Sequence, residues 1–239
     1  MNESLVGNIG IGMKPVAEEW CKKAFNRPNA YIKHSIDSNG HITVNDPLVI
    51  NKDFIKLRGD IPESLIFEQV ESLVISTETT MKLPKIVNGN VNIHDCKITS
   101  LKGIENIKGT LYIENAPKLT DLGDIKNELV SVSIYDCKGL KSLETLPKTK
   151  NLTIVNVPIK KLENLPSRMT DLSIVGTNID STEGLPQRVD GIMEIRDNKA
   201  LKSIGVLPDV VMKRVFWSGN GNNDETVIKR IRCNNIKIK

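Results

Sequence analysis

The chain has 239 residues, of which 39 % are hydrophobic, 26 % charged and only 4 % aromatic. This balance argues against wholesale disorder, and no apolar run reaches the roughly 18–20 residues of a membrane span. The net charge of +4 names no partner, although Lys229, Arg230, Arg232, Lys237 and Lys239 crowd into the C-terminal tail. Met1-Asn2-Glu3-Ser4 lacks the basic start and apolar stretch of a secretory signal, so a cytoplasmic location is expected. Cys21, Cys96, Cys137 and Cys233 form no C-x-x-C pair and are too sparse for a disulfide scaffold.

The first predicted element is a helix over 15–26, within an N-terminal cap spanning 1–41. Pro15 suits a first helical turn, and Glu18–Lys22 and Glu19–Lys23 are spaced as i,i+4 pairs. Val16, Trp20 and Ala24 share one predicted face, flanked by Cys21 and Phe25. Ahead of it, Gly7-Asn8-Ile9-Gly10-Ile11-Gly12 lacks the order of a dinucleotide loop and the Gly-Lys-Ser/Thr of a P-loop. It reads as a loose terminus.

From residue 42 to 218 a repeat dominates. Apolar-x-apolar pairs occur at Leu48/Ile50, Leu73/Ile75, Val91/Ile93, Leu111/Ile113, Val132/Ile134, Leu152/Ile154, Leu172/Ile174, Met193/Ile195 and Val215/Trp217. After the first step of 25 residues, the period is 18 to 22. Three residues past each pair from Val91/Ile93 to Met193/Ile195 stand Cys96, Ala116, Cys137, Val157, Thr177 and Asn198, followed by apolar triplets such as Leu140, Leu143 and Leu146. Thr182 interrupts one triplet, between Ile179 and Leu185. Each pair predicts a short strand with one buried face. The triplet predicts an irregular or 3₁₀ return, which proline keeps from becoming a long helix. One coil cannot bury its own apolar face, so stacking is required. The copy at Leu73/Ile75 is short, puts Glu78 in the turn column and is expected to be distorted.

After Trp217 the pattern is read as stopping. Ser218–Asn223 is loop-like, Asp224–Cys233 a short helix capped by Asp224 or Asn223, and Ile236/Ile238 a final strand. Residues 219–239 are thus expected to form a C-terminal cap with a basic tail.

The repeat resembles the leucine-rich repeat, with Val91-Asn92-Ile93-His94-Asp95-Cys96-Lys97-Ile98 and Ile174-Val175-Gly176-Thr177-Asn178-Ile179 as good matches. The Leu165-Pro166-Ser167-Arg168-Met169-Thr170-Asp171-Leu172-Ser173-Ile174 stretch is similar to the 20-residue class of bacterial secreted effectors. The Asp37-Ser38-Asn39-Gly40 lead-in resembles repeat proteins of tailed phages. The resemblance implies an α/β leucine-rich-repeat solenoid with parallel strands on its concave face. It implies a non-enzymatic protein-binding module, phage-encoded and acting in the host cytoplasm. A virion or assembly component and a bacterial effector are the alternatives.

No catalytic, cofactor or metal constellation is evident in the sequence. Cys96 and Cys137 share a column two coils apart, about 10 Å, beyond disulfide reach. Partner contact is therefore expected on exposed strand positions: His94, Tyr112, Glu114, Tyr135, Val155, Val175, Glu194, Arg196 and Phe216. Tyr112 and Tyr135 lie one coil apart as aromatic anchors. A second column, Asp95, Asn115, Asp136, Asn156, Gly176 and Asp197, reads first as turn residues and second as an acidic rim for a basic partner. The tail reads as a solvated edge rather than a nucleic-acid contact. Oligomeric state is left open.

Overall fold

The computed structural model describes residues 9–27 and 31–238. In chain order the elements are α1 (Ile9–Ala24), β1 (His34–Ile36), β2 (His41–Ile50), α2 (Lys52–Arg58), β3 (Ile66–Ile75), β4 (Ile86–Val87), β5 (Val91–His94), β6 (Asn106–Ile107), β7 (Leu111–Glu114) and β8 (Leu129–Tyr135). They continue with β9 (Thr149–Val155), β10 (Arg168–Met169), β11 (Asp171–Val175), β12 (Arg188–Val189), β13 (Ile192–Arg196), β14 (Val210–Val211), β15 (Arg214–Ser218), α3 (Glu225–Ile228) and β16 (Ile236–Ile238). The chain winds into a parallel-strand β-solenoid of about nine turns with few helices.

The repeat of apolar pairs is what sets strand register. The large sheet runs β1-β2-β3-β5-β7-β8-β9-β11-β13-β15-β16. Leu48 and Ile50 lie beside Leu73 and Ile75, which lie beside Val91 and Ile93. Leu111/Ile113, Val132/Ile134 and Leu152/Ile154 follow in register, then Leu172/Ile174, Met193/Ile195, Val215/Trp217 and Ile236/Ile238. All but the last pair are buried. A slip of one residue would turn the whole apolar set outward, so the register is strongly specified. The turn column and the middle of each triplet fill the interior behind the sheet, with Cys96, Ala116, Cys137, Leu101, Leu122 and Leu143 all buried.

One interior column has no counterpart in the sequence reading. Val70, Val87, Ile107, Leu129, Thr149, Met169, Val189 and Val211 are buried just before each apolar pair. They belong to short strand segments that pair coil to coil. The spacing to the next pair is three residues in some coils and four in others, which blurs the pattern. Where it is four, glycine often takes the extra place. A Cβ on Gly109 would sit 2.7 Å from the carbonyl carbon and oxygen of Gly89 in the coil before. Thr149 also breaks the column's apolar character, although its hydroxyl is satisfied by donating to the Asn151 carbonyl at 2.9 Å.

The N-terminal helix begins earlier than expected, at Ile9 rather than 15, so Pro15 lies inside it. Ile9–Gly12 is helical rather than loose, while Gly7 and Asn8 lie outside the described residues. The buried stripe is Ala17, Cys21, Ala24 and Phe25, with Val16 exposed. The predicted face is therefore rotated by one residue. Trp20 is half-buried, edge-on to Phe25 at 5.0 Å and to Phe67 at 6.1 Å. Lys23 pairs with Glu19 at 2.6 Å, but Glu18 faces Lys14 at 3.9 Å rather than Lys22.

The 25-residue step before Ile75 contains α2, an element absent from the sequence reading. Asn51 caps it, its Oδ1 accepting from the Phe54 N–H at 2.7 Å, and Gly59 leaves it at φ 80°. At the other end, Asp224 caps α3 through the N–H groups of Thr226 and Val227. The repeat also runs past Trp217. Asn220, three residues on, occupies the turn column and is buried, and β16 pairs in parallel with β15.

Thr182 is fully buried in the triplet, and its Oγ1 has no hydrogen-bond partner. Valine has nearly the same shape without the orphaned hydroxyl. Thr182→Val is expected to stabilise the protein by about 1 kcal/mol. Calorimetry should show Tm rising by roughly 2–4 °C, as expected for a chain of this size.

Candidate partner-binding face

Strand alternation turns every second side chain away from the interior. Two outward columns result. The residues between the apolar pairs stack as Asn92, Tyr112, Ser133, Thr153, Ser173, Glu194, Phe216 and Lys237. Those just after the pairs stack as His94, Glu114, Tyr135, Val155, Val175, Arg196 and Ser218. All nine residues expected on this surface fall in these two columns. Apart from Lys237 in the terminal strand, the columns contain no lysine.

Seven of the nine fall into two clusters, with Val155 and Val175 between them. Near the N-terminal end, Tyr112 and Tyr135 meet with ring centroids 5.5 Å apart, tilted by 38°. The Tyr112 hydroxyl donates to Glu114 Oε2 at 2.7 Å. That hydrogen bond, with lesser help from desolvation and the charge of Glu114, pushes the Tyr112 phenol up to about 12. His94 lies beside Glu114 across the strands, with its Nδ1 3.2 Å from Asp95 Oδ2.

Near the C-terminal end, Ser173 Oγ donates to Glu194 Oε2 at 2.7 Å, and Arg196 Nε lies 3.2 Å from Glu194 Oε1. Phe216 stands in register with Glu194. The Arg214 guanidinium lies over its ring at 5.3 Å, and the Lys237 ammonium lies 6.0 Å from the ring centre. Sequence reasoning missed these two cations. Their signal was present, since Arg214 immediately precedes the Val215/Trp217 pair and Lys237 separates Ile236 from Ile238. Between the clusters Thr153, Val155 and Val175 form an uncharged strip, so the face carries an acid–aromatic end and a cation–aromatic end.

The Tyr112 titration is directly measurable. The Tyr112–Glu114 bond needs the protonated phenol. Its contribution is therefore complete below pH 10 and lost as pH rises through about 12. Absorbance titration should show one of the tyrosines ionising late, and Glu114→Gln should bring it back toward the ordinary range. An unchanged titration in that variant would refute the assigned bond.

The second column behaves as turn residues. Asp95, Asn115, Asp136, Asn156, Gly176 and Asp197 all have positive φ, between 48° and 64°. Asn, Asp and Gly tolerate this region best. Asn115 Nδ2 donates to Asp95 Oδ1 at 2.7 Å, and Asn156 Nδ2 to Asp136 Oδ1 at 3.0 Å. The Asn115 bond, followed by the one from His94, holds the Asp95 carboxyl below its ordinary value. A Cβ on Gly176 would lie 2.6 Å from Asn156 Oδ1 in the preceding coil, which explains glycine there.

Elsewhere, a groove of about 660 Å³ opens on the return side, beside the short coil after β3. Phe67, Met81, Leu83 and Ile98 line it, with Lys82 and Lys102 among its cations. Among the described residues no group of three or more His, Cys, Asp or Glu is placed to hold a metal ion. No helix among them is long and apolar enough to cross a membrane. No family model, curated protein or solved structure matches this chain.

Proposed function

We propose that this protein is a non-enzymatic binding module of the leucine-rich-repeat type. On this reading the two outward columns form a concave face that engages a protein partner, while α1 and the α3–β16 segment close the ends of the repeat. The observation that carries the proposal is the stacked Tyr112–Tyr135 pair, on a face from which lysine is nearly absent. Aromatic enrichment and lysine depletion mark protein interfaces, and tyrosine is a frequent anchor within them. Eight coils at strand spacing span roughly 35–40 Å, enough for an interface of about 800 Å² per partner.

The test is affinity capture from source-cell lysate with the tagged chain and with a Tyr112→Ala/Tyr135→Ala variant of unchanged circular dichroism. One stoichiometric protein retained by the parent and lost by the variant is the expected result. Capture of no protein, or equal capture by both chains, would count against this reading.

A further inference from the structure

The solenoid's two edges differ in how their charges are used. At the edge where the chain enters the strands, acids and bases of adjacent coils neutralise one another. Glu68 pairs with Lys85 at 3.4 Å and Glu105 with Lys126 at 2.5 Å. Glu128 lies 4.0 Å from Lys150, and Asp190 takes both Arg168 and Arg188 at 2.6 Å. The edge where the chain leaves the strands is different. Lys97, Lys118, Lys138, Lys141, Lys160, Lys199 and Lys202 follow the turn column there, and all are exposed. Lys97 pairs with Glu78. The other six enter no ion pair among the described residues.

Stacking turns these scattered lysines into a strip. Backbone bonds run from Asp180 N to the Lys160 carbonyl at 3.3 Å and from Lys202 N to the Asp180 carbonyl at 2.9 Å, which places the three residues one above another. At about 4.8 Å per coil, the strip from Lys97 to Lys202 is roughly 24 Å long. Nearby acids are partly engaged: Asp95 and Asp136 accept from Asn115 and Asn156, and Asp121 pairs with Lys102 at 3.3 Å. Asp197 stands beside Lys199 in sequence, and Asp180 interrupts the strip between Lys160 and Lys202.

We propose that this lysine edge binds the phosphodiester backbone of a nucleic-acid strand without reading its sequence. A row of exposed ammonium groups drawn from five of six stacked coils complements a polymer of phosphates. The turn segments that carry these lysines (97–102, 117–122, 138–143, 158–163 and 199–204) contain Pro117, Gly139 and Pro158 and no aromatic residue. An acidic protein would ordinarily need an apolar or aromatic anchor here, and base stacking would need a ring. The strip lies apart from the two outward strand columns, so it extends the proposed function without depending on it.

Fluorescence anisotropy of a labelled twenty-nucleotide oligothymidylate with the full chain tests the assignment. For about four phosphate contacts on a single strand, affinity should fall roughly 50-fold between 50 and 200 mM salt. Lys118→Gln/Lys138→Gln/Lys141→Gln/Lys160→Gln, with circular dichroism unchanged, should remove most of the binding and its salt dependence. Asp180→Lys should tighten binding several-fold and steepen the salt slope by roughly 0.7, a gain that misfolding cannot imitate. Three results would overturn the proposal: no binding of the oligonucleotide, binding retained by the quadruple variant, or equal binding of polyglutamate.

Discussion

Asn198→Ala is expected to be among the most damaging single substitutions in the chain, costing on the order of 3–6 kcal/mol. Asn198 is fully buried in the turn column. Its Oδ1 accepts from the Thr177 N–H at 2.9 Å and from the Thr177 hydroxyl at 2.6 Å. Its Nδ2 donates to the Ile174 carbonyl at 3.0 Å and to Asn220 Oδ1 at 3.1 Å. Asn220 repeats the arrangement one coil later, donating to the Ile195 carbonyl at 2.8 Å. Alanine would leave several buried polar groups without partners, each costing about 1–3 kcal/mol. Because each coil touches chiefly its neighbours, the loss should be local. Hydrogen exchange should show the amides of β11, β13 and β15 opening far more readily, while β5 and β7 keep their protection. Uniform loss of protection along the solenoid would contradict this account.

The second large effect is expected at Gly184. It has φ +89°, and a Cβ there would fall well inside contact distance of the Leu162 carbonyl oxygen in the preceding coil. Gly184→Ala must therefore both strain the backbone and push two coils apart, a loss of about 3 kcal/mol or more. Gly59 provides the control. Its φ is +80°, yet nothing lies within 4 Å of its would-be Cβ. Gly59→Ala meets only the conformational penalty of a backbone at φ 80° and ψ 173°, about 1–3 kcal/mol, without the coil-to-coil clash. Urea denaturation of the two variants measures the difference. Equal losses would mean that the coils do not pack as closely as the Leu162–Gly184 contact requires.

How much of this was legible in the sequence follows from what kind of rule each feature obeys. The strand positions follow a near-constant period and an alternation of two, so the pairs from Leu48/Ile50 to Val215/Trp217 emerge in correct register. The Val87–Val211 column did not emerge, because its offset to the next pair varies and Thr149 interrupts it. Helix α2 hid in a step of unusual length, although Asn51 and Gly59 are recognisable end signals. Asn220 sat in what composition marked as a loop, yet it keeps the three-residue distance from Trp217 that defines the turn column. Helix α1 starts six residues before Pro15, a residue that reads as a start signal but that the helix tolerates internally.

For the candidate face, column membership was legible for all nine residues, since it depends on alternation alone. The interactions were not. Spacing does not say that the Tyr112 hydroxyl turns to Glu114, or that Arg214 covers Phe216. The lysine edge was hidden for another reason. A net charge of +4 averages over the whole chain, and lysines some 20 residues apart become neighbours only when the coils stack.

The most direct test of the proposed binding face is photo-crosslinking from two positions. A benzoylphenylalanine would replace Ser133, at the centre of the outward face, or Thr120, on the return side. After irradiation in source-cell lysate, the account predicts one protein crosslinked from position 133 and not from position 120, with the adduct lost in the Tyr112→Ala/Tyr135→Ala background. Crosslinking of that protein from position 120 alone, or an adduct from 133 that survives removal of both tyrosines, would contradict it.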